Sequence, residues 1–242
     1  MILNVRGGLG MQVLETMVGY AKAIERYEYV EAIEISTGGN VVDPVKHNFL
    51  EPNLSLNVPI RVSDSTLKQN AWTKENFELL VKHYDEVMKC FFDEIKTEKA
   101  FTGVLRVFHI RGKDRQIISE NTYRELIEQF SRQDPHTHRF YVFSDDFDLA
   151  ERVISELDYQ PLMNTSLALQ AANQDWQSCV TAMEIMGPFS TFTLSAWLMN
   201  PKIHYTVLGP KYNDNMPISR ELYEMINILF KGIPGNGNIR FD

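Results

Sequence analysis

An arginine closes an apolar run in the segment Phe108-His109-Ile110-Arg111-Gly112-Lys113-Asp114. The residues before it, Val104-Leu105-Arg106-Val107-Phe108, read as a buried strand, and a helical pattern resumes near Ser119. A guanidinium at the C-terminal end of a strand sits where open α/β sheets bind their ligands. Its planar fork of donors suits a phosphate or pyrophosphate. His109 precedes Arg111 by two residues, so in a strand both side chains share a face. A plainer account pairs Arg111 with Asp114 at the surface and packs His109 at the strand end. Asp114 could equally orient Arg111 for a phosphate or accept a proton from a hydroxyl.

Three further segments carry candidate chemistry. Arg6-Gly7-Gly8-Leu9-Gly10-Met11-Gln12 follows a strand-like run and opens a helix, the setting of a phosphate cradle as well as of a plain tight turn. It departs from the dinucleotide fingerprint, because Val13 occupies the third glycine position, and no Walker lysine follows. Phe143-Ser144-Asp145-Asp146 ends another strand pattern and starts a helix. Asp146 is read as its N-cap, whereas Asp145, nearer the strand end, is placed to receive donors from a base or ribose. Ser190-Thr191-Phe192-Thr193 opens the helix carrying Trp197, where hydroxyls and backbone N–H groups serve either as a cap or as an anion site. Asp175 begins the helix before it.

The elements that must position these residues alternate. Strands are expected at 104–110, 139–144, about 159–163, 184–188 and 202–207, and helices at 119–131, 147–157, 175–183, 190–199 and 219–231. That order predicts a parallel sheet with helices on both faces. Ahead of it stand a strand at 2–5, a helix after the glycine loop and a strand over 30–35. A long helix is expected over Glu75 to Lys96, and prolines obscure residues 41–73. Thr102-Gly103 is the expected boundary between a domain of residues 1–102 and one of 103–242, with the last helix free to pack back on the first. The tail from Gly232 reads as a helix stop followed by coil.

Composition narrows the class. The chain has 242 residues, 44% apolar and 23% charged, as ordinary globular proteins do. A net charge of -8 argues against a general nucleic-acid binder. No apolar run approaches a bilayer span, and Met1-Ile2-Leu3-Asn4-Val5 reads as a strand rather than a leader. Two cysteines, Cys90 and Cys179, support neither a disulfide framework nor a zinc cluster, so a cytoplasmic location is expected. The histidines show no metal-ligand spacing apart from the pair His136 and His138, and neither a G-x-S-x-G elbow nor a Cys–His signature is present.

Taken in order, the four segments resemble the motifs of glycosyltransferase family 11, the α-1,2-fucosyltransferases. That family opens with G-G-L-G-N-Q, matched by Gly7 to Gln12, and carries a central H-x-R-R-x-D, matched by His109, Arg111 and Asp114. Its F-S-D-D corresponds to Phe143–Asp146. Its last motif, an Asp followed fifteen residues later by S-T-F-S, corresponds to Asp175 and Ser190–Thr193. The resemblance spans about residues 4–200 and implies a GT-B-like α/β fold: two Rossmann-like halves with mainly parallel sheets facing a cleft, the N-terminal half reduced. It implies inverting transfer of L-fucose from GDP-fucose to a glycan hydroxyl, with galactose the expected acceptor, and no metal. The donor-binding residues would then be Gly8, Gly10, Gln12, Arg111, Asp145, Asp175, Ser190, Thr191 and Phe192. Arg111 would hold the β-phosphate, with the Ser190–Phe192 helix start on the same diphosphate, and Arg111, Asp114 and His109 would form the catalytic set.

Three departures stand out. Gly112 replaces the second arginine, Met11 replaces the family's Asn, and Leu194-Ser195 replaces its Trp pair. The fold is equally compatible with another nucleotide sugar such as GDP-mannose. Gly112 in place of an arginine favours a nucleotide-sugar-binding relative without turnover.

Overall fold

The computed structural model describes residues 1–36, 48–63, 71–98, 100, 105–112, 118–131, 139–157, 161–163, 169–209 and 220–240. In chain order the elements are β1 (Ile2–Val5), α1 (Leu9–Glu25), β2 (Ala32–Ser36), β3 (Leu54–Leu56), β4 (Ile60–Ser63), α2 (Lys74–Lys82), α3 (Tyr84–Phe91) and β5 (Phe92–Ile95). They continue as β6 (Leu105–Ile110), α4 (Glu120–Ser131), β7 (Arg139–Ser144), α5 (Phe147–Ile154), β8 (Leu162–Met163) and α6 (Leu169–Thr181). Last come β9 (Glu184–Pro188), α7 (Thr191–Met199), β10 (His204–Leu208), α8 (Arg220–Gly232) and β11 (Asn236–Arg240).

The chain divides into two compact units. The first holds Met1–Thr97 with Ser190–Met199 and Met225–Pro234, and the second holds Glu98–Phe189, Asn200–Glu224 and Gly235–Asp242. The expected boundary at Thr102-Gly103 lies outside the described residues.

In the first unit β1, β2 and β4 form a parallel sheet, and β3 pairs antiparallel with β5. Helix α1 packs on α2, α3 and α7 as well as on β1. It is therefore buried around most of its circumference, which suits its run of Val, Leu, Met, Gly and Ala better than a single apolar stripe would. Gly19 lets it approach Leu3, whose methyl carbons lie 2.8 Å and 2.9 Å from where a Cβ would stand. Trp197 of α7 meets Phe230 of α8 edge-on at 4.8 Å, and the Tyr84 hydroxyl donates to the Leu198 carbonyl.

The second unit is built on a six-stranded sheet in the order β11-β10-β9-β6-β7-β8, parallel throughout. All six residues of β6 are buried, as a central strand covered on both faces requires. One face, with Phe108, Ile110 and Val142, packs a core of Tyr123, Ile127 and Phe130 from α4 and Leu149, Ala150 and Val153 from α5. Arg106 on that face is buried yet paired, with its guanidinium 2.9 Å from Glu184 and 4.0 Å above the Phe130 ring.

Three expectations need correction. The tail is not coil: Asn236–Arg240 extends the sheet as β11, parallel to β10. Its residues carry little strand propensity, and pairing supplies what propensity does not. The helix expected over 75–96 breaks at His83, whose ring is engaged by Glu25 at 2.6 Å and Glu86 at 2.8 Å, and it gives way to strand β5. Residues 54–63, obscured by prolines, contain β3 and β4.

Candidate functional site

Strand β6 ends at Ile110, so Arg111 leaves the sheet at its C-terminal edge. Two partners fix the backbone there. The Tyr123 hydroxyl accepts from the Arg111 N–H at 2.8 Å and donates to the Arg111 carbonyl at 3.1 Å. Burial in the α4 core pushes the Tyr123 hydroxyl well above its ordinary pKa, which keeps it protonated for this double duty. Asp145, just past β7, accepts the Gly112 N–H at 2.7 Å and faces the Arg111 guanidinium at 3.1 Å. Asp145 therefore orients Arg111. The Arg111 side chain is 22% exposed. Asp114, the alternative partner of Arg111, lies outside the described residues.

Gly112 has a packing reason to be glycine. A Cβ there would stand 2.2 Å from Asp146 Cβ, where real atoms never approach. Asp146 is held in place as the N-cap of α5: its Oδ1 accepts the Leu149 N–H at 3.1 Å, and Ser144 Oγ accepts its own N–H at 2.9 Å. A second arginine at 112 would meet that cap.

His109 does not reach solvent. It is 2% exposed and stacks on Phe143 across the β6–β7 pair, with ring centroids 4.5 Å apart and planes 11° off parallel. Gly187 makes room for it, since a Cβ there would lie 2.8 Å from His109 Cβ. Burial first, then the neighbouring Arg111 charge, holds its imidazole well below the usual pKa, and its Nδ1 has no hydrogen-bond partner among the described residues. A neutral, stacked His109 supports the strand end from beneath instead of lining a pocket. Asp175 does not begin its helix, since α6 starts at Leu169; it accepts from the buried Tyr141 hydroxyl, which lies on the same sheet face as His109 and Phe143.

In the first unit the glycine loop is organised by its glutamine. Gln12 is fully buried, its Nε2 donating to the Gly7 carbonyl at 2.9 Å and its Oε1 accepting the Phe49 N–H at 3.1 Å. Gly7 has φ +79°, which a side chain would strain. Gly10 packs against the start of α7, where a Cβ would lie 2.4 Å from the Thr191 carbonyl oxygen. Gln12 and Gly10 thus shape the loop. Gly8 is exposed, with no described residue within 4 Å of its Cβ position, and caps α1 without a side-chain acceptor. At the start of α7, Ser190 is buried, its Oγ accepting the Phe192 N–H at 3.2 Å, while Thr191 and Phe192 stay half-buried.

Sequence reading missed Glu15, although an acidic residue in an otherwise apolar helix is a visible signal. Its side chain is fully buried, accepts the Arg6 N–H at 2.7 Å and lies 3.6 Å from the Arg6 guanidinium. Burial outweighs those partners and pushes its carboxyl up to about 7. Among the described residues no group of three or more His, Cys, Asp or Glu side chains is placed to hold a metal ion. Among them, too, no helix is long and apolar enough to cross a membrane.

These two units, with the parallel six-stranded sheet of the second and the glycine loop that opens α1 in the first, have the GT-B-like fold of glycosyltransferases. The chain superposes on the NodZ α-1,6-fucosyltransferase co-crystallised with GDP at a TM-score of 0.51 and 12% identity, covering 84% of this chain and 92% of that one. It superposes on fucosyltransferase NodZ from Bradyrhizobium at 0.52 and 12%, covering 88% and 96%. A glycosyl transferase of family 9 from Veillonella parvula aligns at 0.55 and 8% identity, covering 99% of this chain and 86% of that one. No protein-family model matches the sequence, and no curated protein does.

Proposed function

We propose that this chain is an inverting glycosyltransferase that moves L-fucose from GDP-fucose to a hydroxyl of a glycan, with galactose as the favoured acceptor. The observation that carries the reading is Arg111, a partly exposed arginine at the C-terminal end of a central strand, held by Asp145 and with its backbone anchored by Tyr123. A fold shared with a fucosyltransferase co-crystallised with GDP supports it. The four ordered motifs support the donor.

In this reading Arg111 takes the diphosphate and offsets the charge that grows on it as the glycosidic bond to fucose breaks. An arriving phosphate competes with Asp145 for the guanidinium, so the carboxylate keeps the fork oriented before the donor binds. Neutral His109 adds no charge and stiffens the strand end. Asp114 remains the candidate base for the acceptor hydroxyl, on the strength of the motif alone. Transfer proceeds without a metal, the arginine standing where other transferases place one.

The likeness to a family 9 glycosyl transferase, which covers nearly the whole chain, favours a second reading with a different nucleotide sugar. Calorimetric titration with GDP, ADP and UDP in EDTA separates the two. GDP-selective binding that survives EDTA upholds the first, and a preference for ADP or UDP overturns the donor. Transfer from GDP-fucose to galactosides then tests the reaction.

A further inference from the structure

Glu15 and Glu25 are the acidic residues of α1, and they are held differently. Glu25, at the far end, is engaged by Lys82 and His83, and Glu86 takes the other ring nitrogen of His83. The Glu15 side chain is fully buried. Its Oε2 accepts the Arg6 N–H at 2.7 Å, and its Oε1 has no hydrogen-bond partner among the described residues. Oε1 faces the Arg6 Nε across 3.6 Å, an ion pair too long to be a hydrogen bond. β1 and α7, which pack on α1, carry no charged residue, and no described charged group of α2 or α3 acts on Glu15. The buried Tyr20 hydroxyl of the same helix answers to Cys90 instead. Arg6 is thus the charged partner of Glu15. It follows the last residue of β1 and opens the glycine loop, at the end of a parallel sheet where ligands bind. A glutamine at position 15 would accept the Arg6 N–H equally well. What the carboxyl adds is a charge that comes and goes near neutral pH, behind the residue that opens the loop.

We propose that Arg6 is an anion-contacting cation of the glycine loop and that Glu15, a positioning residue acting through it, makes the binding of a phosphate-bearing ligand proton-linked. The proposal rests on the glycosyl-transfer reading above for its ligand, a nucleoside diphosphate. With Glu15 protonated, the Arg6 charge is uncompensated; with Glu15 ionised, the pair is neutral. The Arg6 side chain is 34% exposed and that of Glu15 not at all, so an anion from solvent meets the arginine. A phosphate that takes the guanidinium leaves Glu15 with a single backbone N–H, and burial then favours the protonated carboxyl. One proton therefore enters from solvent in each molecule whose Glu15 was ionised before binding. Binding weakens as pH rises through about 7, because ionised Glu15 competes with the ligand for Arg6.

The test is calorimetric titration of the full chain with GDP, and separately with inorganic pyrophosphate, at pH 6, 7 and 8. At each pH two buffers of different ionisation enthalpy count the protons taken up. The phosphates of the probe titrate near this range too, so the parent is compared with Glu15→Gln, for which their contribution is the same. At pH 7 the parent should take up roughly half a proton more per GDP than Glu15→Gln. At pH 8 the variant should bind about threefold more tightly than the parent. Arg6→Ala should weaken binding at pH 6 by about tenfold and take up no such extra proton. This substitution at a partly exposed residue carries the test alone if Glu15→Gln does not fold. Equal proton counts in the parent and the variants, with GDP bound, overturn the proton link and leave the nucleotide reading standing. Undiminished binding by Arg6→Ala overturns the contact. If GDP does not bind, the nucleotide reading falls and pyrophosphate decides: binding with the extra proton upholds the pair, and no binding overturns it.

Discussion

Replacing Gly112 with alanine tests whether this position is a lost arginine or a packed glycine. The new Cβ would begin 2.2 Å from Asp146 Cβ, whereas unstrained carbons sit about 3.5–4.0 Å apart. One of the two segments must shift by more than an ångström. If the β6 end yields, Gly112 loses its N–H bond to Asp145 and Arg111 loses its orientation. If Asp146 yields, α5 loses its cap, which costs about 1 kcal/mol, on top of roughly 1–3 kcal/mol for overpacking. Gly112→Ala should therefore destabilise the protein by about 2–4 kcal/mol in urea unfolding, read from the midpoint at unchanged slope. Gly112→Arg, the change that completes the H-x-R-R-x-D pattern, should do no better and should weaken GDP binding. A Gly112→Ala protein within about 0.5 kcal/mol of the parent would refute the argument. So would a folded Gly112→Arg protein with tighter GDP binding.

Arg111→Ala should leave the fold intact and weaken GDP binding by roughly 1.5–3 kcal/mol in calorimetry, the worth of a charge-assisted phosphate contact. Asp145→Asn keeps the volume and removes the charge. It should lower kcat/KM for the donor while circular dichroism stays unchanged. Glu15 gives a pH signature. Its carboxyl loses its proton near 4.5 when unfolded and near 7 when folded, so the native state holds the extra proton between those values. Stability should fall as pH rises through that window, by roughly 3 kcal/mol in all, and Glu15→Gln should abolish the slope in urea midpoints taken from pH 5 to 8. Gly10→Ala, which would press on the Thr191 carbonyl, should destabilise the protein by about 1–3 kcal/mol, and thermal unfolding reads this directly.

The alternating half of the fold was legible because its strands are short, apolar and separated by helical periods. Leu105–Ile110, Arg139–Ser144 and Glu184–Pro188 fall where the pattern places them. β11 was not, because Asn-Gly-Asn-Ile-Arg carries no strand pattern and becomes a strand through its neighbour β10. The break at His83 is equally silent, since no glycine or proline marks it and ion pairs from α1 and α3 accompany it. At the site, residue types were readable and partnerships were not. Spacing put Arg111 at a strand end, but only the β6–β7 register brings Asp145 to it and stacks Phe143 on His109. The glycine loop announced itself. That Gly10 serves α7, and Gln12 the segment at Phe49, depends on contacts far along the chain.

The way the chain shuttles between its two units sets the order in which a ribosome can complete them. Residues 1–97 emerge first, yet the helix that covers the first turn of α1 arrives at Ser190–Met199, and Phe230, the ring against Trp197, arrives later still. Until then the face of α1 that α7 covers has no partner, although α2, α3 and β1 are already present, and closing such distant contacts is slow because a long loop must be ordered first. The second unit likewise waits for β11, its last strand. A fragment ending after Thr97 should therefore aggregate rather than fold, and nascent chains stalled before residue 199 should be the species that chaperones hold.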